Sequence, residues 1–254
     1  TCALPICWAK QSSAIAQEQG LPILGVSAEA ADNIIKLIVN NQYNMREIYL
    51  SGGEPTLIKH NLRLLQQLDK SINCNIRINT NMMFDLSNPI INELAKFSNV
   101  LFTISTDTAV PERFNYIRRG ADWDRFISNL RELKKQHFRW RVNSVFSVAT
   151  ALTLPETQEY FLHEFGIDDF TINQMSMGHT YLRSRNLPEG VKSLVINKLF
   201  EHRENYKNNT NLYGQLTNCL IELENPLSES YKDYFNNIDS LAGTNWRSIF
   251  TELV

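Results

Sequence analysis

The chain has 254 residues, and its 43% hydrophobic content is enough for one large domain or two small ones around a sizeable core. Its 25 basic and 27 acidic residues give a net charge of -2, which leaves no basic stripe for nucleic acid. No segment approaches the roughly 20 apolar residues of a membrane helix, and the start lacks a signal-peptide pattern. We therefore predict a cytoplasmic protein that binds neither nucleic acid nor membranes, while the composition leaves the oligomeric state open.

The four cysteines are too few and too unevenly spaced for a disulfide framework. Cys2 and Cys7 lie close together, whereas Cys74 and Cys219 are isolated. This usage is typical of a reducing compartment. Residues 1–6 resemble a translated sequencing adapter, so we interpret them as non-native and the chain as an N-terminally truncated fragment that begins within the Cys7 codon.

Helix-like and strand-like patterns alternate along the chain, which predicts βα units and a parallel sheet. The first helix is expected over residues 28–40, with Ser27 as its N-cap and a buried face of Ile34, Ile35, Ile38 and Val39. Further helices are expected over residues 62–68, 89–97, 123–137 and 155–165. Strands are expected over residues 47–50, 75–78, 100–104, 140–148 and 169–173.

After Leu187 the pattern is helical only, over residues 191–206, 212–224 and 230–241. A sixth strand would precede Cys7. The predicted fold is α/β, a partial (βα)6 barrel that lacks its first strand, formed by residues 7–187. Residues 188–254 are expected to form helices that pack on this barrel.

Polar residues follow the strands, at the ends where barrel enzymes carry their reactive groups. Gly52 and Gly53 would let a ligand approach the backbone, Glu54 offers a carboxylate to an ammonium group, and Pro55 fixes the exit of the loop. A tight turn without a ligand explains the same residues, and this alternative remains open at each single strand end.

Polar residues also follow the later strands. Asn79 and Asn81 follow the second strand, and Ser105 and Asp107 follow the third. Each could bind a ligand or cap a turn. The fourth strand contains Asn143, Ser144 and Ser147, which we expect to face the barrel interior, and the fifth ends in residues 173–175, ahead of a loop with Met177 and His179. Five successive polar strand ends favour a ligand site over turn capping.

An apolar strand followed by the sequence GGEP (residues 52–55) is the main feature by which residues 7–175 resemble the radical S-adenosylmethionine superfamily. In that family a CxxxCxxC loop after the first strand holds a [4Fe-4S] cluster, and one open iron binds S-adenosylmethionine (AdoMet). The resemblance identifies Cys7 as the third cysteine of this loop and as a cluster ligand. The first two are absent, and Cys2 does not replace them because four residues separate it from Cys7.

The resemblance also implies an AdoMet site at the strand ends. The glycine-rich loop would hold the methionine amino group, a hydroxyl and a carboxylate after the third strand would hold the methionine carboxylate or the ribose, and the asparagines would hold the sugar. The AdoMet-binding residues implied are Gly52, Gly53, Glu54, Pro55, Asn79, Asn81, Ser105, Asp107 and Asn143. Reductive cleavage of AdoMet would give a 5′-deoxyadenosyl radical that abstracts a substrate hydrogen, with no catalytic side chain assigned.

Residues 243–247 and 7–13 further resemble radical enzymes of the twitch or SPASM type. This implies a small-molecule or peptide substrate and allows for an auxiliary iron–sulfur cluster upstream of the chain. Two alternatives remain: a degenerate barrel that binds a nucleoside or a partner without catalysis, and an unrelated barrel enzyme with a phosphate-binding GG loop.

The remaining candidates have simpler interpretations. Cys74 and Cys219 are expected to behave as small hydrophobic residues and not as metal ligands. The five histidines lack metal-site spacing, so we interpret them as solvated or capping residues. Arg118 and Arg119 could clamp an anion, but a surface loop that stops at Gly120 is the preferred interpretation.

Overall fold

The computed structural model describes residues 27–175, 177–225 and 230–254. The chain divides into two compact units. The first contains residues 27–105 together with residues 120–141, and the second contains residues 106–119 together with the described residues of 142–254.

A parallel sheet of five strands runs through the structure in the order β1-β2-β3-β4-β5. The strands are β1 (Glu47–Leu50), β2 (Asn75–Thr80), β3 (Val100–Ser105), β4 (Arg139–Phe146) and β5 (Phe170–Gln174). Within the described residues the sheet is open and does not close into a barrel. The five strands confirm the predicted α/β class.

Helices alternate with the strands and then continue alone toward the C-terminus. They are α1 (Ala28–Asn41), α2 (Lys59–Gln67), α3 (Pro89–Leu94), α4 (Pro111–Ile117), α5 (Trp123–Leu133), α6 (Leu154–Phe165), α7 (Glu189–Glu204), α8 (Thr210–Glu224), α9 (Lys232–Ala242) and α10 (Trp246–Ile249). Short 3-10 turns cover Gln42–Asn44, Pro55–Leu57, Ala151–Thr153, Met177–Leu182, Ser184–Asn186 and Thr251–Leu253.

The first unit is built on β1, β2 and β3. Successive strand residues point to opposite faces, and Ile76, Ile78, Phe102 and Ile104 are all buried on one of them. Trp140 stacks on Phe102 on this apolar face, with ring centroids 4.9 Å apart. The opposite face of the same strands is polar, which distinguishes the two sides of the sheet.

The second unit combines the paired ends of β4 and β5 with helices α4 and α6–α10. Helix α6 ends where predicted, because Gly166 adopts a left-handed conformation (φ 61°) and its N–H bonds to Leu162 O. Helix α8 covers the free edge of β5: Gln215 Oε1 accepts from Ile172 N at 2.6 Å, and Gln215 Nε2 donates to Phe170 O at 3.1 Å.

Several predicted details need correction. β2 continues to Thr80, β4 begins at Arg139 and ends at Phe146, and helix α5 ends at Leu133. Helix α4 was not predicted, although Pro111 is a suitable first residue. Ile34 was predicted to be buried, but its side chain is 50% exposed because it lines an open groove beside β1.

Other expectations remain predictions, because the described residues do not test them. Residues 1–6, Cys7 and the predicted sixth strand lie outside the described ranges. The boundary at 187/188 also stays a prediction. None of the helices in the described ranges combines the length and the apolar character that a membrane span requires.

Candidate functional site

The loop after β1 turns on two glycines. Gly52 and Gly53 have φ angles of 90° and 43°, a region that favours glycine. A Cβ atom built on either one would meet no atom within 4 Å among the described residues beyond its chain neighbours. Among the described residues, no side chain packs against these two glycines at the carboxyl end of β1.

Glu54 is almost fully buried, with 3% of its surface exposed, and its carboxylate accepts four hydrogen bonds. Oε1 accepts from Thr56 N at 3.3 Å, Thr56 Oγ1 at 2.8 Å and Thr80 Oγ1 at 2.9 Å, and Oε2 accepts from Asn81 N at 2.9 Å. Burial raises the pKa of Glu54, while these hydrogen bonds act in the opposite direction. The carboxylate thus ties the loop after β1 to the end of β2.

Pro55 is buried and begins the short 3-10 turn Pro55–Leu57, which leads the chain away from the loop. Its fixed φ suits this first position. The predicted role of Pro55 at the exit of the loop therefore has a local structural basis, independent of any ligand.

Asn79 and Ser105 meet on one face of neighbouring strands. Ser105 Oγ donates to Asn79 Oδ1 at 3.1 Å, and both residues are half-buried. Asn81 behaves differently, because its Oδ1 accepts from Met83 N at 2.9 Å and closes the turn after β2. The capping interpretation thus describes the Asn81 side chain, while Asn79 and Ser105 form a polar pair near the strand ends.

In the second unit, Asp107 lies beyond the end of β3 and forms a buried ion pair. Its Oδ2 is 2.8 Å from Arg118 Nη2, and each side chain is 3% exposed. Asp107 Oδ1 also accepts from Val145 N at 2.9 Å. The surface-loop interpretation was wrong for Arg118, because helix α4 returns this residue to Asp107.

Asn143 is paired with another amide of the second unit. Asn173 Nδ2 donates to Asn143 Oδ1 at 2.6 Å, which links the middle of β4 to the end of β5. Ser144 was expected on the same face as Asn143, but adjacent strand residues point to opposite sides, and Ser144 is buried on the other. Ser147 lies after the strand, in a turn closed by Thr150.

The structure therefore brings the predicted residues together in two sets. In the first unit, the residues at the ends of β1, β2 and β3 are Gly52, Gly53, Glu54, Pro55, Asn79, Asn81 and Ser105. In the second unit, Asp107 accepts a hydrogen bond from Val145 N of β4, and Asn143 of β4 accepts one from Asn173 of β5. The predicted cluster ligand Cys7 lies outside the described residues.

Sequence reasoning missed a polar group on the β1 and β2 strands themselves. The Arg77 guanidinium lies 4.0 Å from the centre of the Tyr49 ring, and Arg77 Nη2 is 3.0 Å from Glu47 Oε1. The signal was present in β2, where Asn75, Arg77 and Asn79 alternate with two buried isoleucines.

Possible metal ligands are scattered across the part of the chain that the structure describes, and no three His, Cys, Asp or Glu residues gather there as a metal site would require. Cys74 and Cys219 are both buried. Burial raises the pKa of the Cys74 thiol and raises that of Cys219 to about 12, which keeps both protonated at neutral pH.

A groove of about 440 Å³ runs beside β1 in the first unit. Its walls are mainly aliphatic side chains of α1, β1 and α2, including Ile35, Ile48 and Leu64. Ser51 lines the groove, whereas Gly53, Asn79 and Ser105 do not, so the groove reaches only the start of the glycine loop.

The comparisons with known proteins cover most of the chain. The profile of the Radical SAM superfamily matches residues 6–175. GTP 3′,8-cyclase of Rhizobium etli (strain CIAT 652) is 30% identical over 145 residues, which are 53% of this chain and 39% of the cyclase.

Two solved structures are similar in fold. Native anSMEcpe with bound AdoMet gives a TM-score of 0.60 at 17% identity, over 83% of this chain and 59% of that one. Streptococcus suis SuiB bound to its precursor peptide SuiA gives 0.56 at 17% identity, over 83% and 44%. The chain thus spans 39% to 59% of the lengths of these three proteins. Because the superfamily profile matches more than half of the chain and includes the loop and strand ends described above, the chain belongs to the radical S-adenosylmethionine superfamily.

Proposed function

We propose that this chain is part of a cytoplasmic radical AdoMet enzyme that binds AdoMet at the carboxyl ends of its strands. The observation that carries the proposal is the loop from Gly52 to Glu54, whose glycines contact no other described side chain while its own carboxylate fixes it to β2. The loop lies within the segment that matches the superfamily. Membership in this family implies a [4Fe-4S] cluster and AdoMet.

The described residues fit AdoMet. Besides the open glycine loop, Asn79 and Ser105 present amide and hydroxyl groups, and Thr103 Oγ1 is buried without a hydrogen-bond partner among the described residues. Thr103 is the register partner of Asn79. A buried hydroxyl that lacks a partner is costly unless a ligand or water supplies one.

We assign the polar groups of AdoMet to these residues as follows. The backbone carbonyls of the glycine loop accept from the methionine ammonium group, since the Glu54 carboxylate already accepts from four protein donors. Ser105 serves the methionine carboxylate or the ribose, whereas Asp107, whose carboxylate is paired with Arg118, stays a prediction of the family resemblance. Asn79 serves the sugar and Pro55 holds the loop in place. Asn81, whose side chain closes the turn after β2, and Asn143 stay predictions of the family resemblance.

The described residues provide no ligand set for the cluster. We propose Cys7 as one ligand, acting with two further cysteines of a CxxxCxxC motif. When bound, the cluster would supply the electron for reductive cleavage of the AdoMet sulfonium, which would yield methionine and a 5′-deoxyadenosyl radical for hydrogen abstraction from the substrate. The protein residues described above bind and orient AdoMet and exclude water.

We further propose the twitch or SPASM subtype, with residues 7–187 as the partial barrel, residues 188–254 as a helical extension and an auxiliary cluster upstream. A small molecule or a peptide is the proposed substrate. In support of a peptide, two proteins of similar fold, SuiB and anSMEcpe, have been solved with peptides bound.

The first test uses a chain that supplies the two cysteines the motif requires upstream of Cys7. After anaerobic reconstitution we expect a brown, oxygen-sensitive protein with cluster absorbance, and 5′-deoxyadenosine on reduction with AdoMet. Glu54→Ala should keep the absorbance and lose AdoMet cleavage. Unchanged cleavage would remove Glu54 from its role, and a chain that never binds iron would favour the degenerate barrel.

The second test separates the glycine loop from the cluster. Gly53→Ala adds a methyl group that meets no atom of the other described residues but enters the space proposed for AdoMet. Gly166→Ala is the matched control, because it too replaces a left-handed glycine whose Cβ would meet nothing within 4 Å. We expect AdoMet binding, measured by equilibrium dialysis, to weaken at least tenfold (about 1.4 kcal/mol) only in Gly53→Ala. Equal affinity in the two variants would contradict the assigned site.

A further inference from the structure

We propose that Thr80 is a positioning residue for the AdoMet site: its hydroxyl fixes the glycine loop and contacts no ligand itself. Thr80 is the last residue of β2 and is 1% exposed. The inference rests on the proposed function, because it explains how the protein holds the loop that is proposed to bind AdoMet. The sequence had singled out the neighbours Asn79 and Asn81 instead.

The Thr80 hydroxyl makes hydrogen bonds to two different loops. Its Oγ1 donates to Glu54 Oε1 at 2.9 Å, in the loop after β1, and accepts from Met82 N at 3.0 Å, in the turn after β2. A hydroxyl has one hydrogen to donate, and the hydrogen of Thr80 is used within the protein. Any effect of Thr80 on AdoMet therefore has to pass through the residues that it holds.

A turn cap is the simpler explanation of the Thr80 side chain. Threonine hydroxyls often accept a hydrogen bond from the N–H two residues further along the chain, as this one does from Met82. Turn capping does not explain the bond that Thr80 donates to Glu54, which lies 26 residues earlier in the chain. Asn81 N donates to the same carboxylate at 2.9 Å, so two consecutive residues connect the end of β2 to the glycine loop.

The turn that Thr80 holds has an unfavourable backbone conformation. Met82 has a φ of 62°, and it is the single residue other than glycine with a positive φ in the described ranges. Side chains disfavour this region, so the surrounding contacts must maintain it. Thr80 Oγ1 holds the N–H of Met82, and Asn129 of α5 holds its carbonyl at 2.7 Å. Without the hydroxyl, we expect the turn to relax and to draw Asn81 N away from Glu54.

The neighbours of Thr80 connect it to the proposed ligand contacts on two sides. Asn79 precedes Thr80, points to the opposite face of the strand and bonds to Ser105. Gly53 precedes Glu54 in the loop that Thr80 holds from the other side. A displacement of Thr80 would therefore move the amide proposed for the sugar and the backbone proposed for the methionine ammonium group together.

A loop that is fixed before AdoMet arrives binds it more tightly. Glycine has the greatest backbone freedom of all residues, and Gly52 and Gly53 contact no other described side chain. The order of this loop therefore depends on the bonds made by Glu54. The apparent affinity for a ligand falls in proportion to the time that the protein spends in its binding conformation. A loop that holds this conformation about one tenth of the time binds AdoMet about tenfold more weakly.

The loop keeps another attachment when the Thr80 hydroxyl is removed. Asn88 Nδ2, at the N-cap of α3, donates to Thr56 O at 2.8 Å, and Thr56 Oγ1 donates to Glu54 Oε1 at 2.8 Å. These bonds do not involve β2. We therefore expect the first unit to fold in Thr80→Val, whose side chain keeps the branched shape and lacks the hydroxyl.

Nuclear magnetic resonance of the glycine amides tests the position of the loop in the full chain without AdoMet. Isotope-labelled glycine gives few signals, because the chain has 10 glycines. The signals of Gly52 and Gly53 are assigned by their loss in the corresponding alanine variants. We expect Thr80→Val to shift both signals, whereas Thr80→Ser, which retains the hydroxyl, should leave them near their original positions.

Thr157→Val is the matched control for the loss of a buried hydroxyl. Thr157 is buried on α6 in the second unit, where its Oγ1 donates to Thr153 O at 2.6 Å and accepts from Ala109 N at 3.1 Å. This hydroxyl therefore makes the same two kinds of bond as that of Thr80. The control should lose stability in the same way but leave the Gly52 and Gly53 signals unchanged.

Equilibrium dialysis of the reconstituted chain then compares the affinities for AdoMet. We expect about tenfold weaker binding in Thr80→Val, and affinities within about twofold of the unmodified chain in Thr80→Ser and Thr157→Val. Unmoved glycine signals in Thr80→Val, an unchanged affinity in this variant, or an equal loss in Thr80→Ser would overturn the inference.

A further variant and the ligand-free measurement keep the result decisive. Thr80→Cys retains only a weak donor and gives the same comparison with Thr80→Ser should Thr80→Val not fold. An unmodified reconstituted chain that binds no AdoMet would contradict the proposed function. The glycine signals decide the role of Thr80 without any ligand, so the two proposals can fail separately.

Discussion

At the scale of single residues, Glu54 was predicted to bind a ligand, and in the structure its side chain holds two loops together. Its carboxylate joins the loop after β1 to Thr80 and Asn81 at the end of β2. The motif alone suggested a carboxylate that faces a ligand. The hydrogen bonds indicate instead that the carboxylate shapes the loop, because all four of them come from protein donors.

We predict that Glu54→Gln destabilises the protein by about 1–3 kcal/mol. The variant replaces one carboxylate oxygen by an NH2 group, and in either orientation this group faces an existing donor, from Asn81 on one side or from Thr56 and Thr80 on the other. Urea denaturation measures the change. The exposed Glu132→Gln is the control and should alter stability by no more than about 0.5 kcal/mol. A Glu54→Gln variant as stable as this control would disprove the anchoring role.

His202 was interpreted as solvated or capping, and this was wrong. The ring is buried within the second unit, where His202 Nε2 donates to Gln158 Oε1 at 2.7 Å. Burial lowers the pKa of His202, and the carboxylates of Glu159 and Glu156 oppose this shift. Its neighbour Glu159 lies 3.7 Å from Nδ1.

A lowered pKa in the folded state means that the unfolded chain binds a proton at higher pH than the native protein. His202 therefore contributes stability above its ordinary pKa of 6.5, and this contribution is lost as the pH falls through its lower folded value. We predict that the free energy of unfolding falls less between about pH 7 and pH 5 in His202→Gln than in the unmodified protein. The exposed His163→Gln should retain the original pH dependence, and equal slopes in all three proteins would refute the prediction.

At the scale of elements, helix α5 fixes the loop that follows β2. The buried Asn129 donates from Nδ2 to Met82 O at 2.7 Å and to Phe84 O at 2.9 Å. Met82 itself has a positive φ of 62°. This residue belongs to the loop that carries Asn81, so α5 helps to hold one side of the candidate site.

We predict that Asn129→Asp destabilises the first unit by about 2–5 kcal/mol, since a carboxylate offers no donor and faces two carbonyl oxygens. Hydrogen exchange should show faster opening of the amides that follow Met82. Asn33→Asp, an exposed change on α1, serves as the control and should cost no more than about 0.5 kcal/mol. Similar losses in both variants would exclude this role for Asn129.

At the scale of the whole molecule, the C-terminal helices are needed to complete the sheet. β5 is the last strand in the sheet order, and an uncovered edge strand offers free backbone groups for aggregation. Gln215 of α8 occupies this edge by bonding to Ile172 N and Phe170 O. The helices after Leu187 therefore belong to the same compact unit as β5.

We predict that a chain ending at Leu187 aggregates on refolding, as light scattering would detect. The single change Gln215→Leu should fold but lose about 1–3 kcal/mol, because two backbone groups of β5 lose their partners. Gln136→Leu makes the same replacement at an exposed position and should have little effect on stability. A soluble, cooperatively folding chain of residues 1–187 would contradict this view.

The sequence by itself determined the order of the elements, the α/β class and the polar strand ends, because periodicity and turn chemistry are local properties of the chain. It also contained the GGEP loop on which the family resemblance depended. Only the tertiary structure decided how the charged groups are used. Asp107 and Arg118, Glu54 and Asn81, and Arg77 and Glu47 are separated by 11 to 30 residues. Whether such side chains are solvated, buried or paired depends on which strands and helices become neighbours, and local patterns do not contain that information.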